Sequence, residues 1–199
     1  QIGFHDEPIG FISVQGDIFT VKKRNYVLKF DPKGARERNS GAERIGTLIT
    51  HAAGYNVPHN TIAYFRPQDL VMDEKSTYRD PMGKDRPLTR EYLDAMLRDL
   101  DPMPDGRYRG IASLYLSPPI LDPFVFTGRR KDDPNDLILH ELRRELRGLR
   151  VIGSWINHVD IKDAQALDIF HETAPGKGFV KHYLIDFSAT LGAYEWPSA

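Results

Sequence analysis

Two aspartates near the end of the chain have the residue type and the setting needed for chemistry on a phosphate group. Asp160 lies in the polar stretch that starts at His158, and Asp186 directly follows the apolar run 183–185. Phosphoryl transfer uses one carboxylate to orient or deprotonate the acceptor hydroxyl and a second to hold the Mg²⁺ that bridges the nucleotide phosphates. These two residues are therefore the candidates for that pair of roles.

Both aspartates lie in short motifs that resemble known catalytic elements. The stretch H-V-D-I-K-D-A-Q, residues 158–165, resembles the kinase catalytic loop H-R-D-L-x-x-x-N. In this comparison Asp160 takes the base position, and Gln165 stands where an asparagine supplies a metal ligand. The sequence D-F-S at Asp186 resembles the D-F-G element, with Ser188 in place of glycine. The two motifs occur in the kinase order, which carries more weight than either motif alone.

Two lysines and one glycine are candidate contacts for a nucleotide. Lys29 is a cation within the apolar run Y-V-L-K-F, residues 26–30, which resembles the V-A-I-K strand whose lysine binds the α- and β-phosphates. The alternative is an outward-facing lysine on an edge strand. Lys162 lies two residues after Asp160, and Gly16 could lie in a phosphate-covering turn. A G-x-G-x-x-G motif is absent from the sequence, so the kinase likeness does not extend to a glycine-rich loop.

Glu43 has two competing interpretations. It lies three residues after Ser40, which makes it the N3 residue of a capping box at the start of a helix. It also lies on the first helix after the strand that carries Lys29, where kinases place the glutamate that pairs with this lysine. The sequence leaves both roles open.

The first part of the chain has the pattern of a small β-sheet with two helices. A helix is expected from Ser40 to residue 53, closed by Gly54. A second helix is expected over residues 90–100, capped by Thr89, with one apolar face for the core. The first three strands should form a meander. The predicted strands are 9–14, 17–21, 26–30, 61–65 and 107–116.

A long helix is expected to lead into the stretch that carries Asp160. Asp133 followed by Pro134 signals its start, and the helix should run to about Asn157. The charged segment 128–136 that overlaps this start is either a solvated loop or a loop that faces phosphate or substrate through its basic residues. The inward positions of the helix, at helical spacing, are Leu139, Leu142, Leu146, Leu149, Ile152 and Ile156.

A β-hairpin is expected to connect the two aspartates. Its strands are residues 166–171 and 179–185, separated by the turn sequence A-P-G-K-G. Because a hairpin returns the chain to its starting point, it should bring Asp186 back toward Asp160.

Composition limits the classes of partner. The 199 residues contain 27 basic and 28 acidic side chains, so net charge gives no reason to expect a nucleic-acid partner. No run is long and apolar enough to predict a membrane span. Cysteine is absent, which excludes disulfides and thiolate metal ligands but leaves the compartment open. The start at Gln1 without a signal-peptide pattern suggests a processed or partial chain, so export and a cytoplasmic location both stay open.

Longer segments extend the resemblance over most of the chain. From Tyr26 to Gly192 it resembles a family of uncharacterised bacterial proteins with a kinase-like core, distantly similar to the HipA-type toxin kinases and to lipid kinases. The segments that carry this resemblance are Y-V-L-K-F-D-P, S-G-A-E-R-I-G, A-A-G-Y-N-V-P, D-G-R-Y-R-G-I-A-S, R-R-K-D-D-P-N-D, H-E-L-R-R-E-L-R-G-L-R, W-I-N-H-V-D and H-Y-L-I-D-F-S-A-T-L-G.

The resemblance implies an α+β, protein-kinase-like fold with two lobes. Residues 1–116 would form a small antiparallel β-sheet lobe with helix 40–53 and an inserted helix 90–100. Residues 117–199 would form a truncated, mainly helical lobe with the catalytic loop and the hairpin of the metal-binding aspartate.

The resemblance also implies ATP and Mg²⁺ as cofactors and a hydroxyl acceptor on a protein, a lipid or a small molecule. Lys29 would bind the α- and β-phosphates and Glu43 would steady Lys29. Asp160 would be catalytic, and Asp186 would be the main metal ligand with Gln165 as a second. Self-association stays open.

Two departures from the family pattern motivate an alternative of another class. Gln165 is one methylene longer than asparagine, and Ser188 restricts the backbone where the motif has glycine. The alternative is a catalytically silent kinase-like module for binding or assembly. Glycoside cleavage by Asp160 and Asp186 is a further alternative. The scattered histidines lack the H-E-x-x-H spacing of a zinc site and are expected to be surface or core groups.

Overall fold

The computed structural model describes residues 9–10, 17–21, 24–71, 77–80, 82, 84–116 and 119–194. Gly16 and residues 11–14 of the first predicted strand lie outside these ranges. The chain is α+β, as predicted, and divides into two compact units. The first unit comprises residues 1–44 and 59–115, and the second comprises residues 45–58 and 116–199. Among the described residues, no helix combines the length and the apolar character that a bilayer crossing requires.

The described residues form eleven strands and three α-helices. The strands are β1 (Ile9–Gly10), β2 (Asp17–Val21), β3 (Arg24–Phe30), β4 (Asn60–Phe65), β5 (Leu70–Val71), β6 (Thr77–Arg79), β7 (Asp85–Pro87), β8 (Tyr108–Leu114), β9 (Ile120–Pro123), β10 (Ala166–Ala174) and β11 (Lys177–Leu184). The helices are α1 (Arg38–Ala52), α2 (Arg90–Arg98) and α3 (Arg144–Trp155).

The first unit contains a six-stranded sheet with the strand order β4-β8-β3-β2-β1-β5. Strands β1, β2 and β3 are successive antiparallel neighbours, which confirms the predicted meander. In β3, Lys29 lies opposite Ile111 of β8, and the other side of the strand pairs with β2. Because β3 is an interior strand, the interpretation of Lys29 as an edge-strand residue is wrong.

Helix α2 supplies much of the apolar core of this unit. Thr89 caps it by accepting the backbone N–H of Tyr92 at 3.3 Å, as predicted. The helix ends at Arg98, two residues before the predicted end. Leu93 and Leu97 are fully buried on its inner face. The buried core residues are Leu28, Ala63, Phe65, Leu70, Leu88, Leu93, Leu97 and Ala112.

Helix α1 begins at Arg38, so the prediction that Ser40 is its cap is wrong. The capping group is Asp31, a buried carboxylate at the end of β3. It accepts the backbone N–H of Glu37 at 3.0 Å and that of Ser40 at 2.7 Å. The Ser40 hydroxyl also donates to Asp31, at 2.7 Å, and Arg109 forms an ion pair with it. The carboxylate therefore satisfies N–H groups that the first turn of a helix leaves unpaired.

In the second unit, β10 and β11 form the predicted hairpin, and β9 adds a third antiparallel strand in the order β11-β10-β9. Ala166 pairs with Leu184 at the open end of the hairpin. One step further, the backbone N–H of Ile185 donates to the carbonyl oxygen of Gln165 at 2.9 Å. The ladder therefore continues to the residues that flank the hairpin.

The predicted long helix is wrong over its first half. Helix α3 covers only Arg144–Trp155, and Leu139 and Arg143 have extended ψ angles of 131° and 137°. Leu142, predicted to face inward, is 58% exposed, whereas Leu149 and Ile156 are buried as predicted. The helical spacing of leucines before residue 144 therefore does not correspond to an α-helix, and the segment has only the 3₁₀ turn His140–Leu142.

A buried carboxylate explains why this segment is not part of the α-helix. Asp136 is 8% exposed and accepts the backbone N–H of Arg130 at 2.6 Å. His140 Nε2 contacts the same carboxylate at 2.7 Å, and Arg143 forms an ion pair with it. Because a buried carboxylate must be hydrogen-bonded and these partners lie within seven residues of Asp136, the contacts fold the segment into turns.

Asp136 leads to a prediction about acid stability. Burial raises its pKa, but hydrogen bonds from Arg130, His140 and Arg143 outweigh burial and lower the pKa from 3.8 to about 2. The folded protein thus binds this proton less readily than the unfolded chain, so the stabilisation is present above about pH 4 and lost as the pH falls toward 2. Replacing Asp136 with Asn should lower the free energy of unfolding by on the order of 2 kcal/mol near neutral pH.

The measurement is urea denaturation of both proteins as a function of pH. The difference between Asp136→Asn and the parent should shrink as the pH falls below 4. Asp132→Asn is the matched control, because Asp132 is 68% exposed and its ion pair with Arg130 should contribute little. A difference that is independent of pH would contradict the assignment.

Candidate functional site

The second unit brings four of the predicted site residues together. Asn157, at φ 49°, turns the chain from the end of α3 into the loop that carries Asp160. A short 3₁₀ turn then ends at Gln165 and leads directly into β10, and β11 returns the chain to Asp186. This loop and the hairpin bring together Asp160, Lys162, Gln165 and Asp186.

Gln165 connects the two aspartates, which we refer to as the carboxylate pair. Its Nε2 donates to Asp160 Oδ2 at 2.7 Å and contacts Asp186 Oδ2 at 3.4 Å. Gln165 is only 8% exposed, so packing restricts where its amide can point. One nitrogen within reach of both carboxylates shows that the hairpin brings Asp160 and Asp186 to the same small region.

Lys162 binds the outer side of Asp160. Its Nζ lies 2.9 Å from Oδ1 and 3.1 Å from Oδ2 of that carboxylate. The hydrogen bond to Asp160 raises the pKa of Lys162, so the side chain stays cationic. Because the lysine side chain is 56% exposed, it can exchange this carboxylate for a phosphate at modest cost.

Asp186 has a left-handed backbone, with φ at 62°. Aspartate tolerates this region better than most residues, yet it is uncommon outside glycine and is often found at functional sites. Ser188 Oγ donates to Asp186 Oδ1 at 2.8 Å, and Phe187 between them is 1% exposed. Ser188, a departure from the D-F-G pattern, therefore holds one oxygen of the carboxylate while the other contacts Gln165.

His158 lies behind the pair as a mostly neutral group. Burial lowers its pKa, while the charges of Asp160 and Asp186 act in the opposite direction. Its ring packs against Phe187, with 5.3 Å between the ring centroids. These contacts hold the His158 ring beside the loop that carries Asp160.

Lys29 and Glu43 contact each other in the first unit. Lys29 Nζ lies 3.3 Å from Glu43 Oε2, and the glutamate side chain is 1% exposed while that of the lysine is 28% exposed. Asn60 Nδ2 donates to the other carboxylate oxygen of Glu43 at 2.9 Å. Of the two roles left open for Glu43, the structure favours the ion pair, because the capping box at Ser40 does not form.

Two buried polar residues were missed in the sequence: Asn60, which supports Glu43, and Asp168, which pairs with Arg130 and His182. Asn60 at the start of β4 is 1% exposed, and it was missed because a polar residue at a strand end is normally solvated. Asp168 in β10 is 2% exposed and pairs with Arg130 at 2.7 Å and with His182 at 2.5 Å. Arg130 therefore faces inward. The sequence signal for its partner Asp168 was an acidic residue at an inward position of an apolar strand.

The carboxylate pair supplies oxygen atoms of the kind that hard cations bind, and the Gln165 amide faces the same oxygens with its NH₂ group. Among the described residues there is no group of three or more His, Cys, Asp or Glu side chains that could hold a metal ion. Mg²⁺ commonly takes only one or two protein carboxylates and completes its shell with waters and substrate phosphates.

Comparison of the chain with protein-family models, with curated proteins and with solved structures finds no match.

Proposed function

We propose that this protein is a kinase-like phosphotransferase that binds ATP with Mg²⁺ and transfers the γ-phosphoryl group to a hydroxyl. The proposal includes a protein-kinase-like, two-lobed fold of the family described above. The observation that carries it is the convergence of Asp160 and Asp186 on Gln165 Nε2, at 2.7 and 3.4 Å. Two carboxylates brought together in this motif order are what phosphoryl transfer requires.

Each charged or polar residue of the site has a proposed role in binding the metal, the phosphates or the acceptor hydroxyl. Asp186 and, through its amide oxygen, Gln165 would hold a Mg²⁺, which would supply positive charge for the β- and γ-phosphates. Asp160 orients the acceptor hydroxyl and takes its proton as the oxygen attacks the γ-phosphorus and ADP leaves. Lys162 and Lys29 contact phosphate oxygens, and Glu43 positions Lys29. Gly16 stays a candidate for the turn over the phosphates.

Fixed positions of these groups supply most of the expected catalysis. The Asp186 carboxylate is held by Ser188 on one oxygen, and Asp160 is held by Lys162 and Gln165. Groups that are already oriented before the substrate arrives lower the barrier, because no reorganisation is needed during the reaction. The left-handed backbone of Asp186 is a further sign that this carboxylate is held in a fixed position.

Two alternatives are less well supported. Glycoside cleavage needs a sugar between two carboxylates, whereas the amide of Gln165 lies between Asp160 and Asp186. A silent binding module was suggested by Gln165 and Ser188, yet both side chains contact the carboxylate pair and neither removes a charge from it. Nucleotide binding without turnover remains the outcome that would favour the silent module.

Calorimetric titration with a non-hydrolysable ATP analogue tests the first half of the proposal. We expect binding that depends on Mg²⁺ and that weakens at least about tenfold in Asp186→Asn, because loss of a charged ligand costs about 1.5 kcal/mol or more. Asparagine tolerates the left-handed backbone, so this variant should fold. The control Asp132→Asn should bind like the parent. Nucleotide binding that is unaffected by Mg²⁺ and by Asp186→Asn would refute the assigned site.

A further inference from the structure

The amide of Gln165 has one end bonded and the other buried without a partner. Its Nε2 contacts both members of the carboxylate pair, whereas its Oε1 has no hydrogen-bond partner among the described residues. The whole residue is 8% exposed, so water does not freely reach the oxygen. Buried amide oxygens are normally paired, and this exception requires a reason.

We propose that the Gln165 amide inverts on cation binding, turning its oxygen toward the carboxylate pair. This inference rests on the proposed function, since it takes the pair to be a divalent-cation site. Two carboxylates without a cation attract an N–H donor, which is the arrangement observed. A cation held by the same carboxylates would repel the N–H group and attract the amide oxygen. A half-turn about the last side-chain bond exchanges the two ends with almost no change of shape.

The surroundings of the amide contain polar groups that would accept hydrogen bonds from it after inversion. Gln165, Thr50 and His158 line one small cavity of about 10 Å³ in the second unit. Thr50 Oγ1 and His158 Nδ1 are also buried without hydrogen-bond partners among the described residues. A hydroxyl can donate or accept, and an imidazole nitrogen does either according to its tautomer. In the observed orientation the lining leaves the amide oxygen unpaired, whereas after inversion these groups are acceptors available to the NH₂ group.

Inversion makes Gln165 a residue that tunes cation affinity. In the cation-free protein its NH₂ group stands in for positive charge and restrains the carboxylate pair. A cation must first displace this N–H donor. The protein therefore binds the cation more weakly than it would with a side chain at position 165 that always presents an oxygen. Asp160 and Asp186 are thus kept in place between rounds of binding.

Nuclear magnetic resonance of the side-chain amides tests the inversion directly. The Gln165 NH₂ signals are identified by their disappearance in Gln165→Leu, and Mg²⁺ is then added alone and with a non-hydrolysable ATP analogue. We expect these signals to move upfield on Mg²⁺ addition, because the bonds to charged carboxylates are lost. If Mg²⁺ binds by calorimetry while the Gln165 signals do not move, the inversion is refuted and the proposed function stands.

Substitution provides an independent measurement. Gln165→Glu presents oxygen without inversion and loses the donor, so we expect Mn²⁺ to bind about tenfold more tightly by electron paramagnetic resonance. Its melting temperature without cation should fall, because three carboxylates then repel one another. The control Gln68→Glu, at an exposed position in the first unit, should change neither property.

The outcomes separate the two proposals. Unchanged Mn²⁺ affinity in Gln165→Glu would overturn the inversion even if ATP is turned over. Inversion with no phosphoryl transfer would support the inference and refute only the enzymatic function. Absence of cation binding in the parent and in every variant would overturn both.

Discussion

Replacing Asp160 with Asn should lower the rate of γ-phosphoryl transfer by about three orders of magnitude, within the range that general-base groups contribute. The amide has the size of the carboxylate, and its oxygen can still accept from Lys162 and Gln165, so the loop should keep its conformation. It cannot take the acceptor proton. The measurement is single-turnover transfer from γ-labelled ATP, with nucleotide affinity determined separately.

Nucleotide binding should change much less than turnover in this variant. Mg²⁺-dependent affinity in Asp160→Asn should stay within about tenfold of the parent, because Asp186 is the main metal ligand. The control Asp132→Asn should retain both properties. A parent protein that binds nucleotide but forms no labelled product would show that the chain is a silent module. Equal turnover in Asp160→Asn and the parent would remove Asp160 from the chemistry.

Replacing Lys29 with Met should have the second largest effect, because it acts on stability and on function together. The variant leaves the carboxylate of Glu43, 1% exposed, without the cation that lies 3.3 Å away. Breaking a buried ion pair costs about 3 kcal/mol or more in the free energy of unfolding. Loss of a charged contact to phosphate should also weaken nucleotide binding by about 10- to 100-fold.

The double variant Lys29→Met with Glu43→Gln separates these two effects. Glutamine can still accept from Asn60 and carries no charge, so most of the lost stability should return. Nucleotide affinity and turnover should not return, because the phosphate contact is still missing. Lys84→Met, at an exposed position of the same unit, is the control. Recovery of both stability and nucleotide affinity in the double variant would show that Lys29 only neutralises Glu43.

Local patterns in the sequence were sufficient for several elements. The hairpin was predictable because alternating apolar residues flank a Pro-Gly turn, and these signals act over a few residues. Thr89 was recognisable as a cap for the same reason. The meander and the first helix followed from similar signals. The α+β class could therefore be predicted from local sequence patterns, without knowledge of contacts between distant residues.

The predictions were wrong where the contacts of a buried carboxylate, and not the local sequence pattern, determine the backbone conformation. Ser40 has the sequence of a cap, but Asp31, nine residues earlier, takes that function by accepting its N–H. The leucines before residue 144 have helical spacing, but the contacts of Asp136 hold that segment in turns. Tertiary hydrogen bonds of buried charges outweigh propensities of a few tenths of a kcal/mol.

For the site, the sequence indicated the charged residues and missed how they are held. The motifs at Asp160 and Asp186 identified the carboxylate pair from residue types and order alone. Ser188 and Gln165 were interpreted as departures from a pattern, because a motif does not show side-chain contacts. The structure assigns each of them a hydrogen bond to the pair.

A crystal structure with a non-hydrolysable ATP analogue and Mn²⁺ in place of Mg²⁺ is the most direct test of the central claim. The anomalous signal of Mn²⁺ would locate the ion without ambiguity. The account predicts the ion at about 2.1–2.2 Å from an Asp186 carboxylate oxygen and bound to the analogue's phosphates, with Asp160 facing the γ-phosphate and Lys29 in contact with a phosphate oxygen. An ion or nucleotide bound away from Asp160 and Asp186 would contradict it.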